Sequence, residues 1–309
     1  MRRHAYMIIA YSQWNLLEKL IHMLDDVRND IYIHINKLVN DVPFDKIKEM
    51  ANYSKIVFVD RIPIRRGTYS IFEAEMTLLK TALAEGNYDY FHLLSGQDLP
   101  LKSQDYIHNF FDENAGKNFI DIVPPEKVMG DFYERYSLYQ LLVPYTLENT
   151  FKGKLAKIVR KTGRIVQRIV KTNRFKKFEQ QGFALCLGSS WFSVTKEFAE
   201  FLVVNEPIIK QMYEKMTYIP EESIPQTFLW SSEFKKTLYD AEWLDGKLNR
   251  ANLRMIFWSG NTSPETISMK HFNSLKLTHN LFARKFDINK NPDVVDAVEQ
   301  MVLNKEVRV

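Results

Sequence analysis

FHLLSGQDLPLKS, residues 91–103, runs from an apolar strand straight into small, polar and turn-forming residues, with one carboxylate, Asp98, between Gln97 and Leu99. In an open, mostly parallel sheet the loops at the carboxyl ends of the strands are where ligands bind, so SGQD is expected at such a site. Working outward, 5-AYMIIAY-11, 31-IYIHIN-36, 56-IVFVD-60 and 118-NFIDIV-123 read as further strands. Helical spacing of apolar residues over 14–24, 44–52 and 70–84 places helices between them. The alternation predicts an α/β fold, a Rossmann-like, mostly parallel nucleotide-binding sheet flanked by helices. The second half is less regular. Residues 183-FALCLGSSWFSVT-195 read as two short strands around a Gly188-Ser189-Ser190 turn, followed by helices at 196–204 and 206–216. The segment 220-PEESIPQTFLW-230 predicts a helix with an acidic first turn that Pro225 interrupts. Then come 253-LRMIFW-258 and 281-LFARKFD-287. The expected organisation is one domain over 1–309: a nucleotide-binding half to about 125, a basic helical insert at about 150–178, and an acceptor and catalytic half from about 180.

Composition narrows the function. The chain is 45% hydrophobic and 26% charged, which is globular. The apolar run YMIIAY near the start is too short for a signal-peptide core or a membrane span. Cys186 is the single cysteine, so no intrachain disulfide or thiolate metal cluster is possible, and a cytoplasmic location is expected. The net charge of +4 is uneven: residues 152–177 hold seven lysines and four arginines with no acid. Apolar residues at helical spacing in that run predict a helix with one apolar and one cationic face, suited either to solvent or to an anionic membrane surface. Nucleic acid is not expected, because the run lacks interleaved aromatics and carries no nucleic-acid motif. No GxSxG, GxxxxGK[ST] or HExxH occurs, which speaks against serine-hydrolase, phosphate-loop and zinc chemistry.

Three segments in this order and spacing, LLSGQDLPLKS at 93–103, GSSWFSVT at 188–195 with PEESIPQTFL at 220–229, and LFARKFD at 281–287, resemble glycosyltransferase family 14, the core-2/I-branching β-1,6-N-acetylglucosaminyltransferases and the related peptide xylosyltransferases. The resemblance runs from about Tyr6 to Asp287. It implies a GT-A type fold, a nucleotide-sugar donor such as a UDP-sugar, a glycan acceptor, inversion at the anomeric carbon, and no metal or other cofactor, while the cationic helix at 152–177 would bring such an enzyme to a lipid-linked oligosaccharide acceptor. The residues agree on the last point, since the chain has no Asp-x-Asp pair to hold Mn²⁺. Without a metal, fixed cations must meet the charge on the departing diphosphate. Lys285 matches the family's diphosphate lysine, and Arg284 stands beside it. The family pattern places the general base at Glu222, with Glu221 its substitutable neighbour. Ser95, Gly96, Gln97 and Asp98, with Gly188, Ser189, Ser190 and Trp191, are expected to shape the sugar pocket. Trp258 matches an aromatic residue near the acceptor cleft, and Arg135 and Tyr136 fall where acceptor-binding residues lie.

Some positions depart from the pattern. Asn36 stands where animal members have an aspartate that contacts uracil, though an amide can still pair with the base. The arginine expected as partner of the diphosphate lysine has no clear counterpart between Trp258 and Asn280, so Arg254 or Arg284 is expected to substitute. Animal relatives are disulfide-rich and membrane-anchored, whereas one cysteine and no apolar anchor suggest a bacterial member working inside the cell. The expected activity is transfer of N-acetylglucosamine from UDP-GlcNAc to a glycan in surface-polysaccharide assembly. The alternatives are xylosyl transfer and a catalytically silent glycan- or nucleotide-binding module; PEES and the Arg-Lys pair together speak against the silent module.

Overall fold

A computed structural model of the chain describes residues 3–146, 150–239, 251–260 and 263–303. Its first part alternates β1 (His4–Ala10), α1 (Trp14–Leu24), β2 (Asn29–Ile35), α2 (Phe44–Lys48), β3 (Lys55–Phe58), α3 (Ser70–Glu85) and β4 (Tyr90–Ser95). Next come β5 (Leu99–Pro100), α4 (Gln104–Glu113), α5 (Asp131–Ser137), α6 (Val143–Thr146), α7 (Phe151–Ile169) and α8 (Lys176–Glu179). The remainder holds β6 (Ser193–Thr195), α9 (Lys196–Val204), α10 (Glu206–Tyr213), α11 (Ile224–Trp230), β7 (Arg254–Ile256), α12 (Phe272–Leu277), β8 (Phe282–Arg284) and α13 (Pro292–Leu303).

The main sheet has the order β3-β2-β1-β4-β6. Its first four strands are parallel and β6 is antiparallel. Strands β2 and β4 are buried at every position, as strands covered on both faces are, and their polar residues Asn29, Asp30, His34 and His92 are buried with the rest. Their side chains still divide with a period of two. Met7, Phe91 and Leu93 enter a core with α3, α9 and α11, while Tyr6, Ile8 and Leu94 enter one with α1, α4 and α13. From β1 the chain builds outward through β2 and β3, then returns to place β4 on the other side of β1. The carboxyl ends of β1 and β4 therefore flank a topological switch point, the place where open α/β sheets bind ligands. A smaller sheet, β5-β8-β7, joins the segment after SGQD to LFARKFD.

The expected fold class is present: a mixed, mostly parallel sheet flanked by helices, consistent with the Rossmann-like GT-A type. Three local expectations are corrected. Residues 118–123 form no ladder, only single bridges from Asn118 to Leu238, Phe119 to Ser193 and Val123 to Leu187. Helix α4 was not anticipated, although Ser103 caps it by accepting from the Tyr106 N–H at 3.3 Å. The PEES segment is not the first turn of a helix. Pro220–Glu222 is a separate 3-10 turn, and Pro225 sits in the first turn of α11, where its missing N–H costs nothing.

Candidate active site

The SGQD loop is built around Asp98. Its carboxylate accepts from the Ser95 N–H at 2.7 Å and the Ser95 hydroxyl at 3.0 Å, and it lies 3.5 Å from the Arg284 guanidinium. It is fully buried, so the expectation of a direct sugar contact is corrected: Asp98 closes the turn and anchors a cation. Gly96 lies against β1, its N–H donating to the Ile9 carbonyl at 3.0 Å. Gln97 links both sides of the switch point, accepting from the Tyr11 hydroxyl at 3.1 Å through its side chain and from the Phe286 N–H at 2.9 Å through its carbonyl. The second bond docks LFARKFD onto SGQD.

GSSW completes this layer. Arg284 lies over the Trp191 ring at 4.0 Å, a cation–π contact that fixes its position together with Asp98. Gly188 has no room for a side chain, because a Cβ there would stand 1.9 Å from the Asp121 carbonyl oxygen. Its N–H donates to the Glu222 carbonyl at 2.8 Å, and Gln226 donates to the Ser189 carbonyl at 2.7 Å. GSSW and PEES are thus held as one unit, with half-buried Ser190 lying between Ser189 and Trp191 in the chain.

The Glu222 side chain is partly exposed and accepts from Arg135 at 3.1 Å. Burial holds its carboxyl above the usual glutamate range, opposed by Arg135 and Arg66. Glu221 turns inward and is buried; burial, then repulsion from Glu222, pushes its carboxyl up to about 8. It acts on a second buried acid, Glu75 of α3, which burial drives well above the usual range. Tyr136 is a correction: it is buried, and its hydroxyl donates to the Ile219 carbonyl at 2.8 Å, so it supports the PEES turn and does not face an acceptor.

The residue that joins the two halves of the site was missed in the sequence. Arg66 lies in the loop after β3, beside Gly67, whose φ of +81° suits glycine and whose carbonyl accepts from the Ile219 N–H at 3.0 Å. That bond ties the Arg66 loop to PEES. Arg66 acts electrostatically on Glu221 and Glu222, and also on Lys285. Lys285 is half-buried, and burial, then Arg284, then Arg66 hold its ammonium below the usual lysine range. Among the described residues neither the Arg66 guanidinium nor the Lys285 ammonium has a hydrogen-bonded or ion-pair partner, which leaves both cations short of a bonded anion. Such a deficit is what a phosphate group fills. Trp258 is half-exposed two residues beyond Ile256, which pairs with Arg284, and so emerges at the same sheet end as Lys285.

Two donor-site expectations change. Arg254 is fully buried and donates to the Ser193 hydroxyl at 3.0 Å and the Phe192 carbonyl at 2.8 Å, as well as to the Asn252 and Leu93 carbonyls. It therefore braces the floor of the site and cannot reach a diphosphate. Asn36 uses its side-chain oxygen to accept from the Leu38 and Ile64 N–H groups at 3.1 and 3.0 Å, and donates to the Ile64 carbonyl at 3.3 Å. Only its second amide proton remains for a base. Among the described residues no group of three His, Cys, Asp or Glu side chains is placed to hold a metal ion.

The model of the family described as Core-2/I-Branching enzyme matches residues 4–282. Xylosyltransferase 2 of Rattus norvegicus is 24% identical over 316 residues, which cover 96% of this chain and 33% of the rat protein. The chain thus spans about a third of the length of the curated xylosyltransferases it matches. The Homo sapiens protein named Beta-1,3-galactosyl-O-glycosyl-glycoprotein beta-1,6-N-acetylglucosaminyltransferase is 21% identical over 323 residues, 97% of this chain and 70% of that one. Among solved structures, mouse Xyloside xylosyltransferase 1 in its apo form aligns with a TM-score of 0.38 at 9% identity, over 92% of this chain and 97% of that chain, too loosely to carry an argument. The family match extends from β1 to the first residue of β8, across the main sheet and the SGQD, GSSW and PEES segments and short of Arg284 and Lys285, and the chain therefore belongs to the Core-2/I-Branching family of glycosyltransferase enzymes.

Proposed function

We propose that the chain transfers a sugar from a UDP-sugar to an acceptor hydroxyl by a single inverting displacement that needs no divalent metal. The observation that supports this reading best is the loop cation Arg66, tied to PEES through the Gly67–Ile219 bond and acting electrostatically on both Glu222 and Lys285. Glu222 takes the proton of the acceptor hydroxyl as its oxygen forms a bond to the anomeric carbon. The bond from that carbon to the diphosphate breaks, and its electron pair leaves on the terminal phosphate oxygen. Lys285, Arg284 and Arg66 receive this charge as fixed donors, the role a metal has in other sites. Asn36 contacts the uracil, and Trp258 offers a face to the acceptor sugar.

For the donor we place xylose first, because xylosyltransferases lead among the curated relatives at 21–24% identity. The N-acetylglucosamine reading rests on the family description and on the acetylglucosaminyltransferase relative that the chain covers most fully. The acceptor we propose is a glycan or lipid-linked oligosaccharide of bacterial surface-polysaccharide assembly, glycosylated on the cytoplasmic side. Titration calorimetry with UDP-xylose, UDP-GlcNAc and UDP-glucose, each in EDTA, tests donor and metal together. The expected result is at least tenfold tighter binding of one sugar nucleotide than of UDP-glucose. Binding that requires Mn²⁺ would overturn the metal-free reading.

A further inference from the structure

Helix α7 is attached to the protein by the wrong face for an ordinary surface helix. At about 100° per residue, Phe151, Leu155, Ile158, Ile165, Val166 and Ile169 share an arc of about 100°. A soluble helix buries such a stripe. Here it points outward: Phe151 is 84% exposed, Ile158 62% and Ile169 74%. The inward face is small and polar instead. Gly153 and Ala156 are buried, and Gly163 lies so close to Leu141 that a Cβ would stand 2.9 Å from it. Arg160 donates to Gln140 at 3.0 Å, Arg164 to Asp131 at 2.5 Å and Arg168 to Glu134 at 2.6 Å, while Gln167 exchanges bonds with the Tyr139 backbone at 2.7 and 3.0 Å. These contacts settle the helix's orientation, and an apolar groove of about 730 Å³ along Ile158, Val166, Leu141 and Met216 extends the exposed surface.

We propose that this face is a docking surface for an anionic lipid bilayer, entered by the outward apolar stripe. Lys154, Lys157 and Lys161 are exposed along one flank of the stripe, and Lys152 and Lys171 are exposed beside it. No acid lies between residues 152 and 177. Apolar residues at the centre with ammonium groups at the rim match the acyl boundary and the headgroups of such a surface. A second copy of the chain fits poorly, because pairing these helices would bring lysine rims together with no acid to oppose them. The helix lies in the interface and does not cross it: no helix among the described residues is long and apolar enough for that. The surface also lies close to the catalytic cleft. Arg160 stacks on Tyr218 at 4.1 Å, Arg135 stacks on the same ring at 5.7 Å, and Arg135 holds Glu222. An acceptor carried in the bilayer would thus be presented near the base, although docking itself does not depend on the chemistry proposed above.

The test is co-sedimentation with vesicles of phosphatidylcholine alone or with 30% phosphatidylglycerol, at about 50 and 500 mM salt. Wild type is expected to partition onto the anionic vesicles about 100-fold or more above the neutral ones, and to be released by salt. The Lys154→Gln/Lys157→Gln/Lys161→Gln variant should lose about 100-fold, at roughly fivefold per lysine. Ile158→Ser/Ile165→Ser/Ile169→Ser should lose at least tenfold, with unchanged thermal unfolding because these side chains touch solvent. Wild type remaining in the supernatant with anionic vesicles at low salt would overturn the proposal, as would a serine variant that binds like wild type. A lipid-free dimer of wild type that the serine variant dissolves would also overturn it, assigning the face to a second copy.

Discussion

Glu222 is held by two opposed influences, and each can be varied alone. Burial raises its carboxyl and Arg135 lowers it. A base must be ionised, so the acid limb of the rate profile is expected above the range of a free glutamate. Arg135→Ala removes a lowering partner and should move that limb to still higher pH, with Arg135→Lys intermediate; an unmoved limb would remove Glu222 from the base role. Lys285 responds in the opposite sense. Arg66 helps hold it below the usual lysine range, so Arg66→Ala should shift the alkaline limb upward while reducing kcat/KM by about 10- to 100-fold. Glu222 and Lys285 could be proposed from the sequence because a motif surrounds each. Arg66 was not, since a basic pair in 62-IPIRRGTYS-70 has no local pattern, and its place depends on the distant Gly67–Ile219 bond. For the same reason the pairing of Asp98 with Arg284 and the buried tasks of Arg254 and Tyr136 could not be read: those partners lie elsewhere in the chain.

Among elements, the parallel strands were plain in the sequence because β1 and β4 carry the apolar stretches MIIA and LL and β2 alternates isoleucines with Tyr32 and His34. The two-residue β5 carries no such signal, and pairing with β8 alone creates it. PEES was misread because acids before a proline-containing helix look like a first turn; the structure inserts a separate turn held by Gly188. That junction has no slack. Gly188→Ala would put a methyl carbon into the Asp121 carbonyl, and a loss of about 2–4 kcal/mol is expected by chemical denaturation, with activity falling as PEES shifts. A variant as stable and active as wild type would mean that GSSW and PEES are not coupled.

For the whole molecule, pH should act through buried groups that titrate in opposite directions. Burial drives His34 and His108 down to about 4 and His92 well below its usual range, so the unfolded chain binds more protons below about pH 6.5 and acid destabilises the fold. Glu221 and Glu75 are raised, so the folded chain binds more protons above the usual carboxylate range, and stability falls as pH rises toward 8. Thermal stability is therefore expected to decline from about pH 6.5 to 8.5, by on the order of 2 kcal/mol for Glu221 alone. Glu221→Gln should flatten that decline, and an unchanged slope would show that Glu221 is ionised in the fold. The most direct test of the central claim, that protein cations and no metal hold the diphosphate beside a glutamate base, is titration calorimetry of UDP in EDTA. Wild type and Glu222→Gln should bind alike, and Lys285→Met and Arg66→Ala should each weaken binding about tenfold or more; binding that appears only with Mn²⁺, or that ignores Lys285, would contradict it.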